Sequence, residues 1–151
     1  MTPDPGDGAR SLFYGRRFVI ERLSEFLWIS LGAVLGANLR YVVNRAAAQW
    51  LGTGFPYGTF TVNVAGSFAA GLVGAMVTAR LLGRPELVRQ IVIVGFLGSL
   101  TTFSAFMYET NTLMSDGEWA RALANVGLSL VAGMAGVRLG VLLAARLGGA
   151  A

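Results

Sequence analysis

Two stretches of the chain, residues 58–79 and 90–108, contain no charged side chain. A mainly apolar stretch of about 20 residues is long enough to cross a bilayer as a helix. Two further apolar segments with few charges lie before and after them in the sequence. The sequence therefore predicts an all-α membrane protein with four transmembrane helices, at residues 26–47, 58–79, 90–113 and 120–145.

The composition agrees with a membrane protein and limits its domain organisation. Of the 151 residues, 54% are hydrophobic and 13% are charged, whereas about a quarter of the residues of a soluble domain are charged. Four spans use most of this length, so there is no room for a separate soluble domain. We predict one transmembrane channel domain at 26–147, a basic N-terminal tail at 1–25 and a short C-terminal tail at 148–151.

The residue types that are missing exclude several classes of function. The chain has no Cys and no His, which rules out disulfides, thiolate chemistry and His-based metal or acid–base sites. No nucleophile–base constellation and no phosphate-binding glycine motif is present, so an enzyme is not predicted. The twelve basic residues, all Arg, are dispersed. We interpret them as determinants of topology and anionic-lipid contact, and not as a nucleic-acid surface.

The third apolar segment contains unusually many residues that weaken a helix. Gly95 and Gly98 loosen the backbone, and nearby hydroxyls offer it alternative hydrogen bonds. Those hydroxyls belong to Ser99, Thr101, Thr102 and Ser104. An interrupted helix at membrane depth is tolerated only where protein or a water-filled cavity surrounds it. Because transporters place ion sites at such breaks, the pattern predicts an ion site here.

A few other polar residues within the apolar segments allow two interpretations each. The Asn63 side chain either forms a hydrogen bond to another helix or lines a pore as a hydrogen-bond donor. Arg40 is either a snorkelling anchor or a fixed positive charge at the mouth of an anion path. Phe103 and Phe106, three residues apart, face the same way and are either ordinary packing or part of the site.

Three motifs in the first three segments resemble those of the CrcB/Fluc fluoride channels. The similarity covers roughly residues 31–140, and the third motif is the most specific. In chain order the motifs are Gly32-Ala33-x-x-Gly36-Ala37-x-x-Arg40-Tyr41, Gly58-Thr59-x-x-x-Asn63-x-x-Gly66 and Gly95-Phe96-x-Gly98-x-x-Thr101-Thr102-Phe103-Ser104-x-Phe106.

The resemblance implies a channel that passively exports fluoride across the cell membrane. It further implies an antiparallel, dual-topology dimer of four-helix subunits, with the third helix broken near mid-membrane. The carbonyls of Gly98 and Thr101 are expected to hold a structural sodium ion that is not transported. The pore or fluoride residues are expected to be Asn63, Phe103, Phe106 and Glu109, with Arg40 in the vestibule and further donors from Thr102, Ser104, Asn125 and Ser129.

The distribution of arginines leaves the identity of the second subunit open. Four spans place both termini and the 80–89 connector on one side, together with eight of the twelve Arg, whereas Arg45 and Arg121 lie on the other. The positive-inside rule then places the termini in the cytoplasm. A subunit that inserts in both orientations should lack this bias. The partner is therefore either an identical chain or an oppositely oriented paralogue in an obligate heterodimer.

A proton-coupled small-anion transporter is a further alternative. Coupling usually requires a titratable group within the membrane. Glu109, near the end of the third segment, is the one candidate in the sequence.

Overall fold

The described part of the molecule is built entirely from helices. The computed structural model describes the backbone of residues 5–149 and the side-chain surroundings of residues 22–149. Its elements are α1 (Pro5–Leu51), α2 (Tyr57–Thr78), α3 (Pro85–Val88), a π-helical segment (Arg89–Leu97), α4 (Gly98–Leu100), α5 (Phe103–Ser115) and α6 (Trp119–Gly149). The all-α prediction is confirmed.

Four stretches of these helices are long and apolar enough to cross a membrane: Arg22–Leu51, Tyr57–Thr78, Pro85–Ser115 and Trp119–Gly149. They confirm the four predicted membrane-length helices, and the chain is a multi-pass membrane protein. Helix α1 continues back to Pro5, through most of the segment predicted as a tail. Residues 1–4 and 150–151 of the predicted tails lie outside the described residues.

The middle of the third span contains two residues with extended backbone. Thr101 has φ −83° and ψ 151°, and Thr102 has φ −151° and ψ 116°. Thr102 caps α5, because its hydroxyl accepts a hydrogen bond of 3.2 Å from the Ala105 N–H. The π-helical turns that precede this pair were not predicted, since apolar periodicity does not distinguish i→i+5 from i→i+4 hydrogen bonding.

Helices α2 and α5 end with the same arrangement of backbone hydrogen bonds. After α2, the Arg80 N–H donates to the Val77 carbonyl (3.1 Å) and the Leu81 N–H donates to the Met76 carbonyl (3.0 Å). After α5, Gly117 takes the position that Arg80 takes after α2, and both have positive φ, 79° and 56°. Glycine is the usual residue at this position because it has no Cβ to clash. The arginine is the exception.

Glycines bring α1 and the third span into direct backbone contact. A methyl group on Gly32 would collide with the Ile91 carbonyl, and one on Gly36 would collide with the Phe96 carbonyl. From the other side, a methyl group on Gly95 would collide with the Ile29 carbonyl. The glycines of α1 and of the third span thus permit close helix contact.

A second close contact joins α2 to α6. A methyl on Gly71 would collide with the Val137 carbonyl, and one on Gly140 would collide with the Phe68 carbonyl. Gly74, further along α2 than Gly71, has no neighbouring atom within 4 Å. Between these two pairs of helices, Val62, Leu97 and Leu100 form a small buried core.

Candidate functional site

Asn63 of α2 binds the backbone of the extended pair in the third span. Its Oδ1 accepts a hydrogen bond from the Thr102 N–H (2.8 Å), and its Nδ2 donates to the Thr102 carbonyl (3.2 Å). Both bonds go to groups that a continuous helix would have used itself. Gly66, one turn further along α2, leaves the space that the Thr101 side chain occupies. Helix α2 therefore accommodates the extended backbone in two ways. The Asn63 amide binds it, and Gly66 has no side chain to collide with it.

Two carbonyls beside this pair lose their usual helical donors. In an α-helix the carbonyl of residue i accepts from the N–H of residue i+4. The Thr102 N–H, which would serve Gly98, donates to Asn63 instead. The Ala105 N–H, which would serve Thr101, donates to the Thr102 hydroxyl. The carbonyls of Gly98 and Thr101 are therefore left without these N–H partners.

Phe103 and Phe106 lie side by side but differ in burial. Their ring centroids are 5.9 Å apart, with the planes tilted by 47°. Phe106 is 6% exposed, whereas Phe103 is 73% exposed on the surface of the subunit. Residues three apart on an α-helix differ by about 60° in direction, which is enough to place one ring inside and its neighbour outside. The expectation that both face the same way is thus only roughly met.

Glu109 lies one turn beyond Phe106 and is tied to α2. Its Oε1 accepts a hydrogen bond of 2.8 Å from the Thr59 hydroxyl, and Thr59 is 2% exposed. Its Oε2 is buried without a hydrogen-bond partner within the described chain. Both residues line a cavity of about 310 Å³ between the end of α1, the start of α2 and α5, together with Asn44 and Tyr108.

A third polar contact connects α5 to α6. The Asn125 amide donates to the Thr110 hydroxyl (2.9 Å), which in turn donates to the Phe106 carbonyl (2.7 Å). Asn125 and Thr110 are 1% and 3% exposed. Polar side chains of two helices, α2 and α6, thus bind α5 and its N-cap, at Thr102, at Glu109 and at Thr110. A buried, hydrogen-bonded network of this kind fixes the position of the backbone that carries Phe106.

The chain is similar to known proteins over most of its length. Residues 27–141 match the family model described as "CrcB-like protein, Camphor Resistance (CrcB)". The chain belongs to the CrcB family. A relative from Chloroflexus aurantiacus, named "Fluoride-specific ion channel FluC", is 43% identical over 128 residues, which cover 84% of this chain and 100% of that protein.

Other relatives with the same printed name give a similar picture. The protein of Roseiflexus sp. is 47% identical over 112 residues, covering 74% of this chain and 90% of its own length. That of Magnetococcus marinus is 46% identical over 102 residues, covering 68% of this chain and 82% of its own length. The family identified from the three sequence motifs is therefore confirmed.

Of the other candidate residues of this CrcB-family chain, Arg40 and Ser129 lie outside the hydrogen-bond network and Ser104 lies at its edge. Arg40 Nε, on α1, and Ser129 Oγ, on α6, are both buried without a hydrogen-bond partner within the described chain. Ser104, next to Phe103, is exposed, and its hydroxyl lies 3.2 Å from that of Thr102. The structure thus brings Asn63, Thr102 and Ser104 together and leaves Arg40 and Ser129 separate from them.

Sequence reasoning missed two residues of the site, Thr59 and Thr110. Thr59 precedes Asn63 by four residues, and Thr110 follows Phe106 by four, so each lies on the same helix face as a predicted residue. Thr59 stands within the second motif, whereas Thr110 lies four residues beyond the end of the third. A hydroxyl one helical turn from a predicted pore residue is the signal that identifies both.

Proposed function

We propose that this chain is a subunit of a fluoride-selective channel through which fluoride leaves the cell passively across the cell membrane. Membership of the CrcB family and the names of its relatives support this function. The same names confirm the prediction of a protein that is not an enzyme. The structural observation that carries the proposal is the pairing of Asn63 with Thr102 beside the two phenylalanine rings.

The polar groups at this point are suited to replace the water around a small anion. The Asn63 amide carries two N–H groups, and the Thr102 carbonyl takes one of them. The Thr102 and Ser104 hydroxyls share one hydrogen between their oxygens, so the other hydroxyl hydrogen is free to donate. Donors held in place by the fold substitute for water without having to reorganise.

The aromatic rings also present positive charge to an anion, in a weaker contact than the N–H and O–H donors. The edge of a phenylalanine ring is electropositive, and the tilted rings of Phe103 and Phe106 present edges in different directions. Conduction requires binding that is strong enough for entry and weak enough for exit. We propose that edge contacts provide the weak part of this balance.

A second subunit in the opposite orientation would complete the path. Phe103 and Gly98, both beside the extended pair, are exposed on this subunit. Thr101 and Thr102 fall at the middle of the Pro85–Ser115 span, which we propose is the mid-membrane break. The two-fold axis of an antiparallel pair runs at mid-depth, so residues at that depth meet their own copies. The structure supports such a dimer by leaving these residues uncovered.

A structural sodium ion fits the carbonyls that lack helical donors. Hard cations prefer oxygen ligands. The described residues contain no group of three or more His, Cys, Asp or Glu that could hold a metal ion. Gly98 and Thr101 would hold it through their backbone carbonyls, which the Asn63 and Thr102 side chains release from helical bonding. When bound, the ion would supply a fixed positive charge that favours a nearby anion.

Fluoride efflux from liposomes that contain the purified chain alone tests the function. We expect fluoride efflux without chloride efflux, measured with ion-selective electrodes. Phe106→Ile should lower the fluoride rate by about 10-fold, equivalent to about 1.4 kcal/mol, without changing assembly on a sizing column. Phe26→Ile, at a residue 66% exposed on α1, is the matched control. Equal chloride efflux, or an unaffected Phe106→Ile rate, would contradict the proposal.

Because most of the arginines lie on one side of the membrane, the second candidate is a heterodimer of this chain with an oppositely oriented paralogue. A reporter fused to the C-terminus, active on one side of the membrane only, measures the orientation of the chain. Signal from both sides supports the homodimer. Signal from one side only, with no efflux from folded protein, supports a paralogous partner. Efflux that is driven by a pH gradient and lost in Glu109→Gln would instead indicate the coupled transporter.

A further inference from the structure

An amide side chain, that of Asn38, lies on the outer surface of α1 in the middle of its membrane span. It is exposed, and it stands sixteen residues after Arg22 and thirteen before Leu51, the two ends of that span. At 1.5 Å per residue it is about 2 Å from the mid-point. Lipid tails offer no hydrogen bond, so a polar side chain at this depth requires a partner in protein.

The Asn38 amide is only partly satisfied within its own helix. Its Nδ2 donates a hydrogen bond of 2.7 Å to the Val34 carbonyl. An amide has two N–H groups and an acceptor oxygen, and within the described residues this amide makes no other hydrogen bond. One N–H and the carbonyl oxygen are therefore available to a neighbouring chain.

This amide also points away from the rest of the subunit. Gly36 lies against the third span, since a methyl group on it would collide with the Phe96 carbonyl. Asn38 is two residues further on, which corresponds to about 200° around the helix. The contact that Asn38 requires is therefore separate from the surface of Gly98 and Phe103 on the third span.

The exposed residues on either side of Asn38 have the spacing of a coiled-coil contact. Alternating steps of four and three residues keep side chains in one line, as at the a and d positions of a heptad. We call this line of α1 the outer seam, and all its members are exposed. They are Leu27, Leu31, Val34, Asn38, Tyr41 and Arg45. An asparagine at one a position fixes the register of such a contact, and in membranes it hydrogen-bonds across helices.

The depth of the outer seam indicates which helix it fits. A partner that reaches Asn38 is itself a membrane helix, because a soluble protein or a lipid head group does not extend to mid-depth. The outer seam is centred on residue 36, within one residue of the centre of the span. Two antiparallel copies of α1 therefore align both seams at one depth, with each a position facing a d position of the other copy.

The direction of the Asn38 side chain favours the same arrangement. It turns back towards Val34, and hence towards the centre of the outer seam. In an antiparallel pair the two amides therefore approach the two-fold axis from opposite sides. Each amide offers both a donor and an acceptor to the other, as the self-complementary contact of a two-fold pair requires.

We propose that the outer seam of α1 binds the outer seam of a second, oppositely oriented copy, with the two Asn38 amides hydrogen-bonded across the axis. Because Asn38 points away from the third span, this contact joins neighbouring channels. It rests on the insertion of the chain in both orientations that the proposed antiparallel dimer also requires, and it does not depend on fluoride conduction.

Disulfide cross-linking in membranes tests the pairing, because the chain has no cysteine of its own. In the antiparallel pair Leu31 of one copy faces Tyr41 of the other, whereas the two Leu31 residues are about 15 Å apart along the axis, too far for a disulfide. We expect Leu31→Cys/Tyr41→Cys to form cross-linked pairs on oxidation, and neither single variant to do so. Efficient linking of Leu31→Cys alone would indicate a parallel pair, and linking to a protein of another mass a different partner. Either would overturn the proposal.

Asn38→Leu in the double-cysteine chain tests the amide. We expect the cross-linked fraction to fall at least three-fold, whereas Asn111→Leu, at an exposed amide of α5, should leave it unchanged. Fluoride efflux should equal that of the parent chain in both variants. An unchanged cross-linked fraction in Asn38→Leu, or no linking in a double-cysteine chain that conducts fluoride, would overturn this proposal alone. Loss of both linking and efflux in the double-cysteine chain would overturn it together with the proposed function.

Discussion

The two halves of the third span, residues 85–100 and 103–115, are held in the bundle by different kinds of contact. The first half touches α1 backbone to backbone, through glycines on both sides. The second half is tied to α2 and α6 by side-chain hydrogen bonds that end at Glu109 and at Thr110. The boundary between them is Thr101–Thr102, where Asn63 takes over from helical hydrogen bonding.

This difference separates the scaffold from the candidate conduction site. Backbone contact fixes two helices closely but presents no polar side chain to a ligand. Side-chain hydrogen bonds leave some lone pairs and N–H groups unused, such as the second N–H of Asn63. The half of the span that is held by polar side chains is therefore the half where side-chain donors are able to contact an anion.

The largest expected effect is that of Gly95→Ala in the first half. The added methyl would collide with the Ile29 carbonyl and approach the Gly32 Cα to 3.1 Å. Overpacking of this kind costs about 1–3 kcal/mol, so we expect a lower thermal unfolding midpoint in detergent and a lower yield of folded protein. Gly127→Ala, which adds the same methyl where no atom lies within 4 Å, should match the wild type. An unchanged midpoint for Gly95→Ala would remove the distinction between the two halves.

Asn63→Ala tests the Thr101–Thr102 boundary between the two halves of the third span. It leaves the Thr102 N–H without a partner, and a buried unsatisfied group costs about 1–3 kcal/mol. The Thr102 carbonyl loses the Asn63 donor but keeps its helical one, because Thr102 is the N-cap of α5. We expect both a lower unfolding midpoint and loss of fluoride efflux, whereas Asn111→Ala on the exposed face of α5 should change neither. Wild-type efflux in Asn63→Ala would show that the amide serves the fold alone.

Thr110→Val removes one link of the second half while keeping its shape. Asn125 loses its acceptor and the Phe106 carbonyl loses a donor, at a cost of about 1–2 kcal/mol. We expect a several-fold lower fluoride rate because the backbone of Phe106 is less firmly held. Thr110→Ser keeps the hydroxyl and should restore the rate. Thr112→Val, a matched change at an exposed position, should have no effect on it.

The sequence predicted the number and type of the spans and the principal residue of the boundary. Four apolar segments were sufficient to predict the four spans, because length and hydropathy directly determine membrane helices. Asn63 was recognised as unusual because an amide in an apolar segment must find a partner. The partner, the Thr102 backbone, was not predictable, since it depends on which turn of the third span lies beside α2.

The burial of individual side chains was predicted less well. Phe103 and Phe106 share a motif, yet the Phe103 ring is exposed and the Phe106 ring is buried. The two side chains point about 60° apart around the helix axis, and this angle is enough to separate an exposed position from a buried one. Thr110 and Asn125 lie on different helices, 15 residues apart, and their contact depends on the α5–α6 turn. Spacing within one helix was informative, whereas contacts between helices required the structure.

The smallest expected effect on subunit stability is that of Gly98→Ala, three residues from Gly95 in the same half of the span. Gly98 is exposed, and the nearest atom to an added methyl is the Ile93 carbonyl oxygen, at an ordinary 3.7 Å. We expect an unfolding midpoint within a few degrees of the wild type, since alanine favours the helix slightly over glycine. If the second subunit covers this surface, the same methyl should lower the dimer fraction on a sizing column.

The pair Gly95→Ala and Gly98→Ala therefore divides the scaffold half into an inner and an outer face. The inner glycine faces α1 of its own subunit, and the outer glycine faces outwards at the mid-point of the span, where an antiparallel copy would meet it. A Gly98→Ala variant that dimerises and conducts like the wild type would locate the subunit contact elsewhere. In that case another surface would have to bury the exposed Phe103 ring. The proposed sodium site at Gly98 and Thr101 would no longer lie on the two-fold axis.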